Sequence, residues 1–366
     1  MIPVAEVQIG DKEKEYVNDC LATGWVSSLG KYVTAFEQAF ARFCGRAYGV
    51  ATNNGTTALH LALAALKIGP GDEVIVPSLT FVATANAVAY AGARPVFVDS
   101  DPDTWTMDPQ AVAAVVTPRT RAIIPVHLYG HPVDMDPILD LARERNIAVI
   151  EDAAEAHGAR YKGRVVGSLG LMGCFSFYGN KIITTGEGGM VVTDDQALAQ
   201  RLAWLRDQAM SRERRYWHSE VGYNYRLTNI QAAIGLGQLE RIDRILARKR
   251  QIADLYNRQL ANVPGLTRAP EAPWAHNVYW MYSVLVQDNF GLSRDEVMAG
   301  LRARGIDSRN FFWPVHSLPP YESGLRLPVC EDLAARGINL PSSPSLTDDQ
   351  VSYICQVLAD LGRAHA

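Results

Sequence analysis

Cysteine is scarce in this chain. The 366 residues contain five, Cys20, Cys44, Cys174, Cys330 and Cys355. They are scattered, odd in number and include no C-x-x-C pair. That argues against a disulfide frame or a cysteine zinc site and fits reduced thiols in the core of a cytoplasmic protein. Long apolar runs are missing as well. No stretch reaches the roughly 18 uninterrupted apolar residues that suggest a membrane-spanning helix. The N-terminal MIPVAEVQIGDKEKEY lacks the charged-then-apolar order of a signal peptide. Neither sign of charge dominates, with 35 Lys and Arg against 39 Asp and Glu and a net charge of −4. A nucleic-acid footprint would gather Lys and Arg on one face. The nearest approach is Arg241–Arg250, where basic residues recur among apolar ones as on the solvated face of a helix. No basic amphipathic segment suited to a membrane surface is present, and there is no repeat or low-complexity tract.

What is abundant is apolar residues, 48% of the chain. That is ample for a large core, and the length suggests two domains. From about residue 47 to 193, short apolar runs alternate with helical stretches. Strands are expected at 47–52, 73–77, 95–98, 121–126, 147–151, 173–177 and 189–193, with helices at 56–67, 82–91 and 134–145. Several runs are apolar throughout rather than alternating, as for strands covered on both faces. The reading is an α/β fold with a mixed, mostly parallel seven-stranded sheet sandwiched by helices. After residue 226 the pattern changes. Thr228 and Gln231 have capping-box spacing and open a helix expected to run to about 261. A smaller α+β region follows, with a strand near 279–287 and helices near 293–304 and 348–361, the last opened by Thr347 and Gln350. The boundary falls inside the long helix, giving a large domain over 1–245 and a C-terminal domain over 246–366.

Three segments carry the chemistry. In GNKIITTGEGG (179–189) a lysine stands between small residues and a glycine-rich turn, after the apolar CFSFYGN. Lys181 therefore emerges from the sheet into a cleft, where an amine can form a Schiff base with a carbonyl. In IAVIEDAAEAHGA (147–159), five apolar residues lead into Glu151 and Asp152 at a strand's C-terminal end, where ligands of open α/β sheets bind. A buried carboxylate needs a partner, and a pyridinium nitrogen is one. Either acid could serve, and a structural ion pair explains the same letters. Glu155 could lie beside such a ring, while His157 could stack or cap the turn. In TNNGTTALHLAL (52–63), Gly55, Thr56 and Thr57 fall at a helix N-terminus, an anion site by its free N–H groups and dipole. An ordinary N-cap reads the same way. No Walker A loop or G-x-G-x-x-G fingerprint occurs.

Taken in order, NNGTTAL, EVIVPSLTFVAT, EDAAEAHGA, FSFYGNKIITTGEGGM and GYNYRLTNIQAAIG resemble the DegT/StrS group of nucleotide-sugar aminotransferases, of the aspartate-aminotransferase fold type. The likeness runs from GWVSSLGKYVTAFE to INLPSSPSLTDDQ, essentially the whole chain. It implies pyridoxal 5'-phosphate as cofactor, held covalently by Lys181, which would also shuttle the proton. It assigns the pyridine nitrogen to Asp152, the ring face to Phe81 and the phosphate to Thr56 and Thr57 with Gly55 and Ser176. Glu155 would lie near the ring's phenolic oxygen, where many relatives carry Gln. Asn224 would reach the phosphate of the neighbouring subunit's cofactor, so a homodimer with shared active sites is implied. L-Glutamate would donate the amino group and leave as 2-oxoglutarate. Relatives that dehydrate the sugar carry histidine where Lys181 stands, so transamination is expected.

Within that family, FYGNKIITTGEGG, Glu155 and RNFFWPVHSLPPY (309–321) are similar to the GDP-perosamine synthases. This implies amination at carbon 4 of GDP-4-keto-6-deoxymannose and a place in making surface polysaccharide such as O-antigen. Phe312, Trp313 and His316 are sugar-contact candidates, and Trp25 and Ser27 could border the same pocket. Trp313 stands where tyrosine is expected. Amination of a UDP- or dTDP-linked keto sugar is the alternative within the family. A catalytically silent relative is the alternative outside it, disfavoured by the presence of Lys181, Asp152 and Asn224 together. His127 and His131 have i, i+4 spacing, but Gly130 and Pro132 in VHLYGHP argue against a helical metal site.

Overall fold

The computed structural model describes residues 1–211 and 213–363. Its strands, in chain order, are β1 (Tyr48–Thr52), β2 (Glu73–Pro77), β3 (Arg94–Val98), β4 (Thr120–Ile123), β5 (Ala148–Asp152), β6 (Arg160–Tyr161), β7 (Arg164–Val165), β8 (Met172–Ser176), β9 (Gly189–Thr193), β10 (Leu266–Arg268), β11 (Ala275–His276), β12 (Tyr282–Val286), β13 (Arg309–Asn310) and β14 (Gly337–Leu340). Seven of them form the main sheet in the order β1-β9-β8-β5-β4-β2-β3. Neighbours from β8 to β3 run parallel, and β9 lies antiparallel to both β1 and β8. The seven strands read from the sequence are these seven. Every residue of β2, β8 and β9 is buried, because helices cover both faces and leave no polar side to alternate with.

The connections explain where the chain turns. Helix Gly55–Ala65 starts on a capping box in which Asn54 accepts from Thr57 N–H and Thr57 returns the bond. Its buried Leu59, Leu61 and Leu63 pack with Val74, Val76, Ile150 and Val191 on one face of the sheet. On the other side, Val98, Ile123 and Val149 meet Ile138 and Ala142 of helix Met135–Arg145. Helices Asp11–Thr23 and Lys31–Phe43, not anticipated from the sequence, cover the β1 end, with Phe36 and Phe40 against Phe175 and Phe177. The described helices include none long and apolar enough to cross a membrane, and all five cysteines are free and buried.

The long helix expected over 228–261 is two helices, Asn229–Leu239 and Ile242–Gln259. Both capping boxes read from the sequence form, at Thr228–Gln231 and Thr347–Gln350. The break falls at Arg241, which leaves helical geometry (φ −119°, ψ 14°) and turns its guanidinium onto Glu13. The break lets the two halves face different cores. Gly235 and Gly237 of the first lie so close to Phe36 and to Glu13 that a Cβ would collide. The second half carries Ile252, Ala253 and Tyr256 into a separate cluster with Tyr282, Val284, Leu301 and Leu358. That cluster sits under the sheet β10-β12-β14-β13. The N-terminus joins the same unit: Ile2 bridges to Ile306, and Glu6 N–H donates to Ser343 Oγ at 2.6 Å. A third small sheet, β11-β6-β7, ties residues 275–276 back to the large unit.

Candidate active site

The parallel strands deliver their C-terminal ends to one cavity of about 700 Å³, as open α/β sheets do. Asn54, Gly55, Thr56 and Thr57 line it at one end, with Ser176 from the end of β8. Thr57 N–H is taken by the Asn54 side chain at 2.8 Å and Ala58 N–H by the Asn54 carbonyl. Of the first-turn donors, those of Gly55 and Thr56 remain for a ligand. A Cβ at Gly55 would sit 2.7 Å from Ser176 Cβ. Glycine there allows the helix start and β8 to approach each other, forming an anion cradle.

Strand alternation separates the two acids at the end of β5. Glu151 points away from the cavity and is fully enclosed. It accepts from Gly167, Leu169 and Gly170 N–H groups at 2.6–2.7 Å and from His127 Nε2 at 3.0 Å. Although burial opposes its charge, His127 and those N–H groups hold its carboxyl below the usual range. Asp152 lines the cavity instead. Thr84 Oγ1 donates to it at 2.8 Å and Ala154 N–H at 3.2 Å. Among the described residues no cation lies within ion-pair distance of it, and burial raises its carboxyl above the ordinary value, partly offset by Thr84.

Lys181 reaches the same cavity from the turn between β8 and β9. That turn is pinned by Lys181 N–H to the Tyr178 carbonyl and Thr185 N–H to the Phe177 carbonyl, both at 2.9 Å, with Gly186 in the left-handed region at φ +80°. The amine lies 3.4 Å from Glu155 Oε1 and 3.8 Å from the centre of the Trp280 ring. Glu155 Oε2 accepts from Tyr129 N–H at 2.9 Å, and burial raises this carboxyl as well, against the pull of Lys181. Phe81, half-exposed, forms a wall together with Phe312, their rings 5.7 Å apart.

Several expected contacts fall elsewhere. His316 is buried outside the cavity, its Nδ1 2.6 Å from Ser78 Oγ and its Nε2 3.2 Å from Glu331. It anchors the segment carrying Phe312. Trp313 is exposed and is not part of the wall. The carbonyl of Trp25 accepts from Asn229 Nδ2 and that of Ser27 from Asn229 N–H, and neither side chain lines the cavity. Asn224 is exposed, bridged to Asp207, and likewise outside this chain's own cavity. His127 and His131 are engaged separately, the first with Glu151 and the second with the Pro132 carbonyl and Ala272 N–H. His157 packs among Phe40, Phe175 and Phe177, and among the described residues neither ring nitrogen has a partner in hydrogen-bond geometry. Thr84, Tyr129 and Trp280 were not legible as site residues. Thr84 reads as an ordinary helix residue, and Tyr129 and Trp280 arrive from distant segments.

The donors present fit a planar, phosphate-bearing aldehyde. The site offers a glycine-gated helix N-terminus for the phosphate, a buried carboxylate without a cation for a ring nitrogen, and an amine on the same cavity. Residues 7–359 match the DegT/DnrJ/EryC1/StrS aminotransferase family, and the chain belongs to it. Pyridoxal phosphate is its cofactor, and the chain is a sugar aminotransferase. A protein of Caulobacter vibrioides named GDP-perosamine synthase is 50% identical over 98% of this chain and 97% of its own. One of the same name from Escherichia coli O157:H7 is 49% identical over 97% of each. The PLP-form structure of the putative sugar aminotransferase Spr1654 from Streptococcus pneumoniae superposes with a TM-score of 0.94 at 27% identity, covering 100% of this chain and 99% of that one.

Proposed function

We propose that this enzyme converts GDP-4-keto-6-deoxy-D-mannose to GDP-perosamine, with L-glutamate as amino donor and 2-oxoglutarate as the product released. The observation that carries the aminotransfer is the Lys181 amine sharing one cavity with buried Asp152 and the Gly55 helix start. The choice of sugar rests on the names of the relatives and on the likeness of residues 309–321.

Bound pyridoxal phosphate supplies the electron sink that makes the proton beside a nitrogen acidic. Asp152 would hold the ring nitrogen protonated, its charge favoured by the Thr84 hydroxyl against the burial that opposes it. Gly55, Thr56 and Thr57 with Ser176 would bind the phosphate, and Phe81 would offer the ring an apolar contact. Lys181 would hold the cofactor at rest and would move the proton at the reacting carbon during turnover. Glu155, 3.4 Å from Nζ, takes and returns the proton of that amine. Phe312 is the sugar contact in this chain's own cavity, and His316 supports its loop. Asn224, exposed in the single chain, completes the phosphate site of a second copy, which makes the working unit a homodimer. The division into units near residue 245 and a cytoplasmic location belong to the same reading.

Incubation with glutamate and each of the GDP-, UDP- and dTDP-linked 4-keto-6-deoxy sugars, followed by mass spectrometry of the products, tests the assignment. The highest kcat/KM is expected with the GDP sugar. A higher value with a UDP or dTDP sugar would replace the substrate while keeping the reaction. Absence of any amino sugar would favour a silent relative.

A further inference from the structure

Lys249 has no evident place in this chemistry, yet it is costly to bury. It is 4% exposed, on helix Ile242–Gln259. Among the described residues no carboxylate lies within ion-pair distance of it. Instead Nζ donates to the carbonyl of Ser342 at 2.7 Å and to that of Trp280 at 3.2 Å. Burial pushes the amine down to about 7. A well-packed apolar side chain would fill the space at lower cost, so the contact with the two carbonyls is the feature to explain.

Trp280 is the link. Its Nε1 donates to the Asn180 carbonyl at 2.7 Å, one residue before Lys181, while its ring lies 3.8 Å from Lys181 Nζ. The indole also stacks on Tyr129, at 6.2 Å between centres and 26° between planes, and Tyr129 N–H holds Glu155. Lys181, Lys249 and Trp280 all line one small cavity of about 30 Å³. We propose that Lys249 is a positioning residue for Lys181: by gripping the Trp280 carbonyl it seats the indole that fixes the direction of the reactive amine. The C-terminal unit thereby takes part in aligning an amine that the β8–β9 turn presents.

The inference rests on Lys181 being the residue that holds the cofactor, and the test separates the two. Cofactor-free protein is mixed with pyridoxal phosphate and the growth of the visible band is followed by stopped flow, alongside kcat and KM. Misplacement of a reacting group by about 1 Å costs up to roughly 100-fold, so K249M is expected to slow band formation and to lower kcat by about 10-fold or more. KM for glutamate should stay near the wild-type value, because the phosphate and ring contacts are untouched. W280F keeps the carbonyl but loses the indole N–H, and it should show the same pattern. The K249M/W280F pair should be no worse than the worse single variant, since both act on one contact chain. Effects that multiply, or wild-type band formation in K249M, would overturn the proposal. Should K249M fail to fold, W280F decides, and a wild-type rate there overturns it equally. A visible band that persists in K181A would instead sink the reading of the site itself.

Discussion

Replacing Thr84 by valine removes a hydroxyl at the centre of the site, which also meets Thr80 Oγ1 at 3.2 Å and the Phe81 carbonyl at 3.4 Å. Thr84 is 1% exposed, and its hydroxyl donates to Asp152 Oδ2 at 2.8 Å. Valine keeps the shape and removes the donor, leaving Asp152, among the described residues, only Ala154 N–H at 3.2 Å. A hydrogen bond to a charged group contributes about 1.5–3 kcal/mol, which at 1.36 kcal/mol per decade corresponds to a rate loss of roughly 10- to 100-fold. The sign with pH follows from the direction of the shift. Burial already raises the Asp152 carboxyl, and Thr84 is the largest influence pulling it back. Without that donor the carboxyl rises further, so the ionised form is lost at a higher pH than in the wild type. The acid limb of kcat/KM should therefore move to higher pH, and the deficit should narrow as pH increases. Steady-state kinetics between mildly acidic and alkaline pH read this directly, with thermal melting as the folding control. An unchanged kcat, or a deficit that does not depend on pH, would refute the role given to Asp152.

Other variants separate chemistry from architecture. Gly55→Ala puts a methyl 2.7 Å from Ser176 Cβ. Overpacking of this kind costs about 1–3 kcal/mol, so equilibrium dialysis should show pyridoxal phosphate bound roughly 10-fold more weakly. Glu151→Gln sets an amide against three N–H donors. Each unsatisfied donor costs about 1–3 kcal/mol, so denaturant titration should show a markedly lower midpoint, while the protein that does fold keeps its kcat. His157, buried and held neutral down to about pH 3, contributes stability that is present above the unfolded histidine value and declines as pH falls from there toward 3. The slope approaches about 1.4 kcal/mol per pH unit. His157→Phe should flatten that acid limb in thermal melts, and an unchanged limb would contradict the assignment.

The parts of the molecule legible in the sequence are those governed by local pattern. The runs EVIVP, GCFSF and GMVVT announce strands because both sheet faces are covered. Thr228–Gln231 and Thr347–Gln350 announce helix starts because a capping box is closed within four residues. Lys181 stood out because a lysine between small residues follows a strand that must be buried. What escaped depends on contacts far apart in the chain. The break at Arg241 is set by Glu13, more than two hundred residues away, and carries no proline or glycine of its own. His316 looked like a sugar contact, but Ser78 and Glu331 draw it inward. Thr84 and Trp280 become site residues only when the fold brings them to Asp152 and Lys181. The contest between Glu151 and Asp152 could not be decided from adjacent letters, since it turns on which strand face meets the cavity.

Lys181 and Asp152 are the groups on which nucleotide-sugar aminotransfer by this chain would depend. That chemistry is tested most directly by the absorbance of the purified protein as substrates are added in turn. A visible band is expected after incubation with pyridoxal phosphate, with bleaching by L-glutamate and return on addition of GDP-4-keto-6-deoxymannose. No visible band, or a band that glutamate leaves unchanged, would contradict this chemistry.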